Sequence, residues 1–261
     1  MIDTNRELVA KVPQVTLLFW VIKILATTLG ETGGDAVTMS WLGETTPNGN
    51  GLGYLIGTGI FGVIFIASVF VQIKAKKFHP FLYWFTIVAT TTVGTTLADY
   101  CTRSIGIGYT GGSAILLSCV VASLFIWRQS TGSISIETVN TPKVEVFYWV
   151  TIMFSQTLGT ALGDWVSDTV EMGYLGAAGI FGVLLALTVL SYYYTTVSRA
   201  VLFWIAFILT RPLGAVVGDF LDKPIAKGGL NLSRYSATAA LLVVIVVLMI
   251  IFPQKPAQKA H

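Results

Sequence analysis

The stretch Phe19–Asp35, FWVIKILATTLGETGGD, recurs three more times along the chain. The other copies are Tyr83–Asp99 (YWFTIVATTTVGTTLAD), Tyr148–Asp164 (YWVTIMFSQTLGTALGD) and Phe203–Asp219 (FWIAFILTRPLGAVVGD). Each opens on an aromatic residue and a Trp (Trp20, Trp84, Trp149, Trp204). A Gly follows the Trp by ten residues (Gly30, Gly94, Gly159, Gly214) and an Asp follows it by fifteen. Every copy lies in a long apolar run. Asp35, Asp99, Asp164 and Asp219 therefore recur at one depth of what hydropathy predicts to be membrane helices.

The surrounding composition supports that expectation. Of 261 residues, 54% are hydrophobic and 11% charged, against about 25% charged in soluble domains. A helix crosses a bilayer with roughly 20 apolar residues. Eight spans are predicted, near 13–34, 54–73, 81–99, 107–127, 146–165, 174–195, 199–219 and 234–252. Pro13, Pro80 and Pro142 are expected at helix entries, where a missing N–H costs little. The start, Met1 to Lys11, is polar with both signs of charge and is not expected to be a secretory signal.

The fold class expected is all-α: a polytopic membrane protein of eight transmembrane helices in one domain, 1–261. Its repeats run over about 13–73, 81–127, 146–195 and 199–252. Two spans per unit make the four units parallel, related by an axis along the membrane normal. The polar stretch Arg128–Lys143 divides them into two halves. A Gly follows the Asp by nine residues in units two to four, at Gly108, Gly173 and Gly228.

Basic residues set the expected orientation. Arg6, Lys11, Lys74, Lys76, Lys77, Arg128, Lys143, Arg199, Lys255 and Lys259 fall on one side, and Arg103, Lys223, Lys227 and Arg234 on the other. Ten against four places both termini in the cytoplasm. The scatter of these charges excludes a nucleic-acid surface. Cys101 and Cys119 form no redox or metal motif and read as packing residues. His79 and His261 fall in a loop and a tail, with no metal role. Neither enzymatic activity nor a resident cofactor is expected.

Fifteen helical residues rise about 22 Å. With each Trp in an interfacial belt, each Asp lies within the opposite leaflet. A charge at that depth costs about 2.5–3.5 kcal/mol when it faces lipid, so the acids are expected to face inward. Four residues before the Asp stand Glu31, Thr95, Thr160 and Ala215, and seven before it Thr28, Thr92, Thr157 and Pro212. These acids and hydroxyls form the candidate ion-binding set, with Asp35, Asp99, Asp164 and Asp219 as metal ligands. The opposite half of the same face is apolar (Ile24, Val88, Met153, Ile208). Lys23 and Arg211 are the basic residues counted inside the spans and are read as counter-charges. Their two charges leave the five acids short, and oxygen donors of this kind suit Mn, Mg or Ca. The four Trp and the four signature Gly are read as packing residues, and each of these Gly precedes a small residue by four, a pairing that brings helix backbones close. Glu44, Asp168, Glu171 and Asp222 are expected in loops, as a mildly acidic mouth.

The fourfold Trp, Gly and Asp pattern resembles a bacterial membrane-protein family of four tandem two-helix repeats, described as a repeat of unknown function. The resemblance covers nearly the whole chain and implies eight helices in a bacterial inner membrane. A second likeness is local. Glu31-Thr-Gly-Gly-Asp35-Ala-Val-Thr is similar to the E-x-G-D-[K/R]-[S/T] signature of manganese and calcium exchangers, with one residue more between the acids and no basic residue after them.

The function expected is a secondary transporter for a divalent cation, coupled to protons or to membrane potential. The partners are the lipid bilayer and a small cation, with room for a homo-oligomer. Two alternatives stand beside it: transport of a cationic organic metabolite or drug, and an intramembrane aspartyl protease with two carboxylates sharing a proton.

Overall fold

The computed structural model describes residues 10–258. Arg6, Lys259, His261 and most of the polar start lie outside these residues. The frame is α1 (Leu17–Asp35), α2 (Leu52–Lys74), α3 (Pro80–Asp99), α4 (Gly108–Thr131), α5 (Pro142–Asp164), α6 (Gly173–Tyr194), α7 (Arg199–Asp222) and α8 (Arg234–Ile251). Among the described residues there is no β-strand, only an isolated bridge between Pro13 and Pro256.

Local chemistry sets the ends of these helices. Pro80 and Pro142 occupy the first turns of α3 and α5, as expected. Pro13 does not open α1. It pairs with Pro256, and the helix starts later, at Thr16, whose hydroxyl accepts the Phe19 N–H at 3.3 Å. The Glu44 carboxylate accepts the Gly51 and Gly53 N–H groups at 2.7 and 2.5 Å, where the α2 dipole favours a negative charge. Gly108, Gly173 and Gly228, the glycines nine residues after an Asp, all hold positive φ. A side chain is strained there, which accounts for their periodic use at the reversals.

The helices form two concentric rings. In the inner ring, α1 packs on α3, α3 on α5, α5 on α7, and α7 back on α1. In the outer ring, α2 packs on α3, α4 on α5, α6 on α7, and α8 on α1. Each outer helix thus leans chiefly on the first helix of the next repeat, not of its own. The inner helices are parallel: Gly30 meets Thr91, and Gly34, one turn on, meets Thr95.

Six helices are long and apolar enough to cross a membrane: α2, α3 with its extension, α4, α6, α7 and α8. The outer four of these bury only 17–28% of their apolar window within the protein, against 72% for α3 and 56% for α7. Their remaining apolar surface faces outward. The other two helices, α1 and α5, carry their polarity inward. Lys23, Glu31 and Asp35 on α1 and Gln156 and Asp164 on α5 are all buried.

Candidate functional site

At one end of the inner ring the aromatic pairs interlock. Phe19 lies 5.4 Å from Trp84, Tyr83 5.8 Å from Trp149, Tyr148 6.0 Å from Trp204, and Phe203 5.7 Å from Trp20, centroid to centroid. The first aromatic of each repeat thus meets the Trp of the next in a closed cycle, at distances typical of aromatic pairs. The Tyr83 and Tyr148 hydroxyls share a 2.6 Å hydrogen bond inside it. Trp84, Trp149 and Trp204 are at most 2% exposed and Trp20 is half-buried, so these side chains pack within the ring, whereas a belt facing lipid would leave them exposed.

About three turns further along, the signature glycines set the spacing. A Cβ on Gly30 would strike Thr91, on Gly94 the backbone of Gln156 and Thr157, on Gly159 the side chain of Arg211, and on Gly214 Thr27. The partner always stands three residues before the next repeat's Gly. Thr27, Thr91, Gln156 and Arg211 therefore make one layer around the axis.

Arg211 reaches from this layer to the next. Its terminal nitrogens lie 3.0 and 3.1 Å from Glu31 Oε2, and one of them donates to Thr95 Oγ1 at 2.6 Å and Thr160 Oγ1 at 2.5 Å. The positions four before each Asp thus meet in one network, with Ala215 filling the fourth place. The equivalents of Arg211 are Thr27, Thr91 and Gln156, so one guanidinium serves the whole ring.

The four Asp residues are at most 2% exposed. They gather in two bridged pairs. Arg103 Nε lies 2.9 Å from Asp99 Oδ1, and its Nη2 lies 3.0 Å from Asp164 Oδ2. Lys223 contacts Asp35 and lies 3.0 Å from Asp219 Oδ1 and 3.9 Å from Asp222. Arg234, on α8, adds a 3.1 Å contact to Asp222. Burial works against the Lys223 charge, but Asp219, Asp35 and Asp222 outweigh it and hold the ammonium well above the usual lysine range.

Arg103 and Lys223 each stand four residues after an Asp, and both were expected to be loop charges. In the first three repeats the helix runs past the Asp in a π-helical turn: Ala36–Trp41, Tyr100–Ser104 and Trp165–Thr169. The turn after Asp99 brings Arg103 back over the acids; α7 reaches Lys223 as an ordinary helix. Such turns are rare and recur at functional sites.

The positive charge beside the acids is thus larger than the two residues counted from the sequence. Lys23 is not part of it: it has no carboxylate within ion-pair distance among the described residues and no hydrogen-bond partner. Thr28, Thr92 and Thr157 donate to the carbonyls four residues earlier, at 3.0, 2.8 and 3.0 Å, so their hydroxyl protons serve their own helices. Of the apolar face, Ile24, Val88, Met153 and Ile208 are all half-buried. The expected acidic mouth is also different. Asp222 is buried, Glu44 caps α2, and only Asp168 and Glu171 stay exposed. A cleft of about 670 Å³ beside the acids is lined by Arg103, Lys223, Lys227 and Arg234 together with Asp222.

Three carboxylates remain close enough to share one cation. Glu31, Asp35 and Asp219, all buried, offer oxygens within 4.8 Å of one another. Asp35 Oδ1 has no hydrogen-bond partner. Asp99 and Asp164 stand apart with Arg103.

The family model described as Repeat of Unknown Function (DUF347) matches the chain four times, over residues 18–78, 82–133, 147–198 and 202–252, and the chain belongs to that family. No curated protein and no solved structure matches it.

Proposed function

We propose that this member of the repeat family is a secondary transporter for a divalent cation, with all eight helices crossing a bacterial inner membrane and both termini in the cytoplasm. The observation that carries the proposal is the trio Glu31, Asp35 and Asp219, three buried carboxylates within 4.8 Å of one another. Hard, oxygen-only donors of this kind suit Mn, Mg or Ca.

In this reading the protein carries its own stand-in for the cargo. Lys223 holds Asp35 and Asp219 together, and Arg211 holds Glu31. An arriving cation displaces the Lys223 ammonium toward Asp222 and the adjoining cleft. On release the ammonium returns, so the acids never face the low-dielectric interior unmatched. The half of the ring around Asp99, Arg103 and Asp164 stays closed and serves as the fixed wall. The orientation rests on basic residues: of the four on the acid side, Arg103, Lys223 and Arg234 are tied to carboxylates, and Lys227 has no carboxylate partner among the described residues.

The test is flux. The full chain, reconstituted in liposomes with a trapped divalent-sensitive dye, is expected to move Mn across the bilayer. Asp35→Asn and Asp219→Asn should abolish the flux while Thr28→Val leaves it. Mn flux that is absent from the wild type, or unchanged in both Asn variants, overturns the proposal. Flux of an organic cation that survives both substitutions would favour the cationic-metabolite reading instead.

A further inference from the structure

One buried group takes no part in the cation site. Lys23 is 0% exposed and its Nζ has no hydrogen-bond partner. Its immediate neighbour is the Phe207 ring, with Nζ 4.1 Å from the centroid. A ring face offsets only part of an ammonium's charge. No carboxylate among the described residues lies within ion-pair distance of it, and Arg211 is already matched by Glu31.

More unsatisfied groups share this level. Among the described residues Arg211 Nε has no hydrogen-bond partner, and neither amide atom of Gln156 has one, although Gln156 is 0% exposed. The repeat register places them at adjacent levels of the inner ring. Gln156 and Arg211 belong to one layer, as the contacts of Gly94 and Gly159 require. Lys23 stands one turn nearer the aromatic cycle than Thr27, and its ammonium meets Phe207, one turn below Arg211 on α7. The equivalents of Lys23 are Ile87, Ile152 and Phe207, all 0% exposed, so the surrounding wall is apolar.

We infer that this level of the ring binds one small monovalent anion, a halide or a formate-sized carboxylate, held by the Lys23 ammonium, the Arg211 Nε–H and the Gln156 amide N–H₂. The groups are mainly donors, and Lys23 has no carboxylate partner among the described residues. Fully buried, its amine holds a proton only beside an opposite charge, which a bound anion supplies. The apolar walls disfavour a polyvalent oxyanion, which would bring more charge than Lys23 matches. The site lies on the aromatic-cycle side of the carboxylate trio, and Arg211 borders both, its terminal nitrogens on Glu31 and its Nε toward the anion.

The probe is chloride alone. The purified full chain in detergent is melted in sodium gluconate and in gluconate–chloride mixtures of equal ionic strength. Chloride is expected to raise the unfolding midpoint saturably, by about 5–10 °C at a hundred times its dissociation constant. Lys23→Met should remove the chloride response and raise the midpoint in gluconate, because the unpartnered amine is gone. Gln156→Leu, which keeps Lys23, should weaken the response and serves if the first variant fails to fold. A wild type indifferent to chloride overturns the inference, as does a response of equal size in whichever variants fold.

Discussion

Arg211 sets both of its terminal nitrogens on a single oxygen of Glu31, a residue 180 positions earlier in the chain. Both side chains are buried. The pair joins the first repeat to the last, and Thr95 and Thr160 bind the middle repeats to it. Removing one partner of a buried pair leaves an uncompensated charge and costs about 3–5 kcal/mol. Arg211→Met is therefore expected to lower the unfolding midpoint strongly. Glu31→Gln with Arg211→Met should recover most of the loss, read as a double-mutant cycle in detergent.

The glycine layer predicts a graded response to one methyl group. At Gly94 an added Cβ meets the Gln156 and Thr157 backbone, which cannot step aside. Gly94→Ala should cost about 1–3 kcal/mol, as overpacking does. Gly59 and Gly179 sit on outer helices with nothing within 4 Å. Alanine there should be neutral or slightly stabilising. Equal melting curves for Gly94→Ala and Gly59→Ala would remove the close-approach argument.

Inside the aromatic cycle, Tyr83 and Tyr148 share their hydroxyl hydrogen bond out of contact with solvent. Tyr83→Phe strands the Tyr148 hydroxyl and should cost about 1–3 kcal/mol. Replacing both by Phe should cost less than either single change, since no polar group is then left behind. Thermal melts of the three variants check this.

Lys223 links stability to the cargo. Lys223→Met leaves Asp35 and Asp219 without their bridge, so the variant should melt lower than wild type in EDTA. Millimolar Mn should restore it by more than it stabilises wild type, where the ammonium competes. The wild-type bridge should also tolerate alkali. An unfolded lysine titrates near 10.4 and the folded one above it. The stabilisation is thus complete below the unfolded value and fades only as pH climbs through the folded one.

The ring of four parallel helices was legible because a strict repeat confines each Trp, Gly and Asp to one depth. The inward convergence of the acids followed from the cost of charge in lipid. The identity of their counter-charges did not follow. Arg103 and Lys223 stand just beyond the hydropathic span, and Arg103 returns to the acids through a π-helical turn that apolar periodicity does not register. An offset of four from Asp99 and Asp219 was the available signal, present in two units and replaced by Met39 and Asp168 in the others. Lys23 was misjudged for a related reason. Its position matches Ile87, Ile152 and Phe207, so the repeat places it in an apolar layer where no acid can meet it.

Because α8 completes α1, and Arg211 and Lys223 supply its acids with partners, the first repeat is finished only when the fourth has been made. Until the fourth repeat arrives, the nascent protein is an open crescent with Glu31 and Asp35 on its unsealed edge. Truncation anywhere before α7 should leave that edge exposed, a ready mark for membrane quality control.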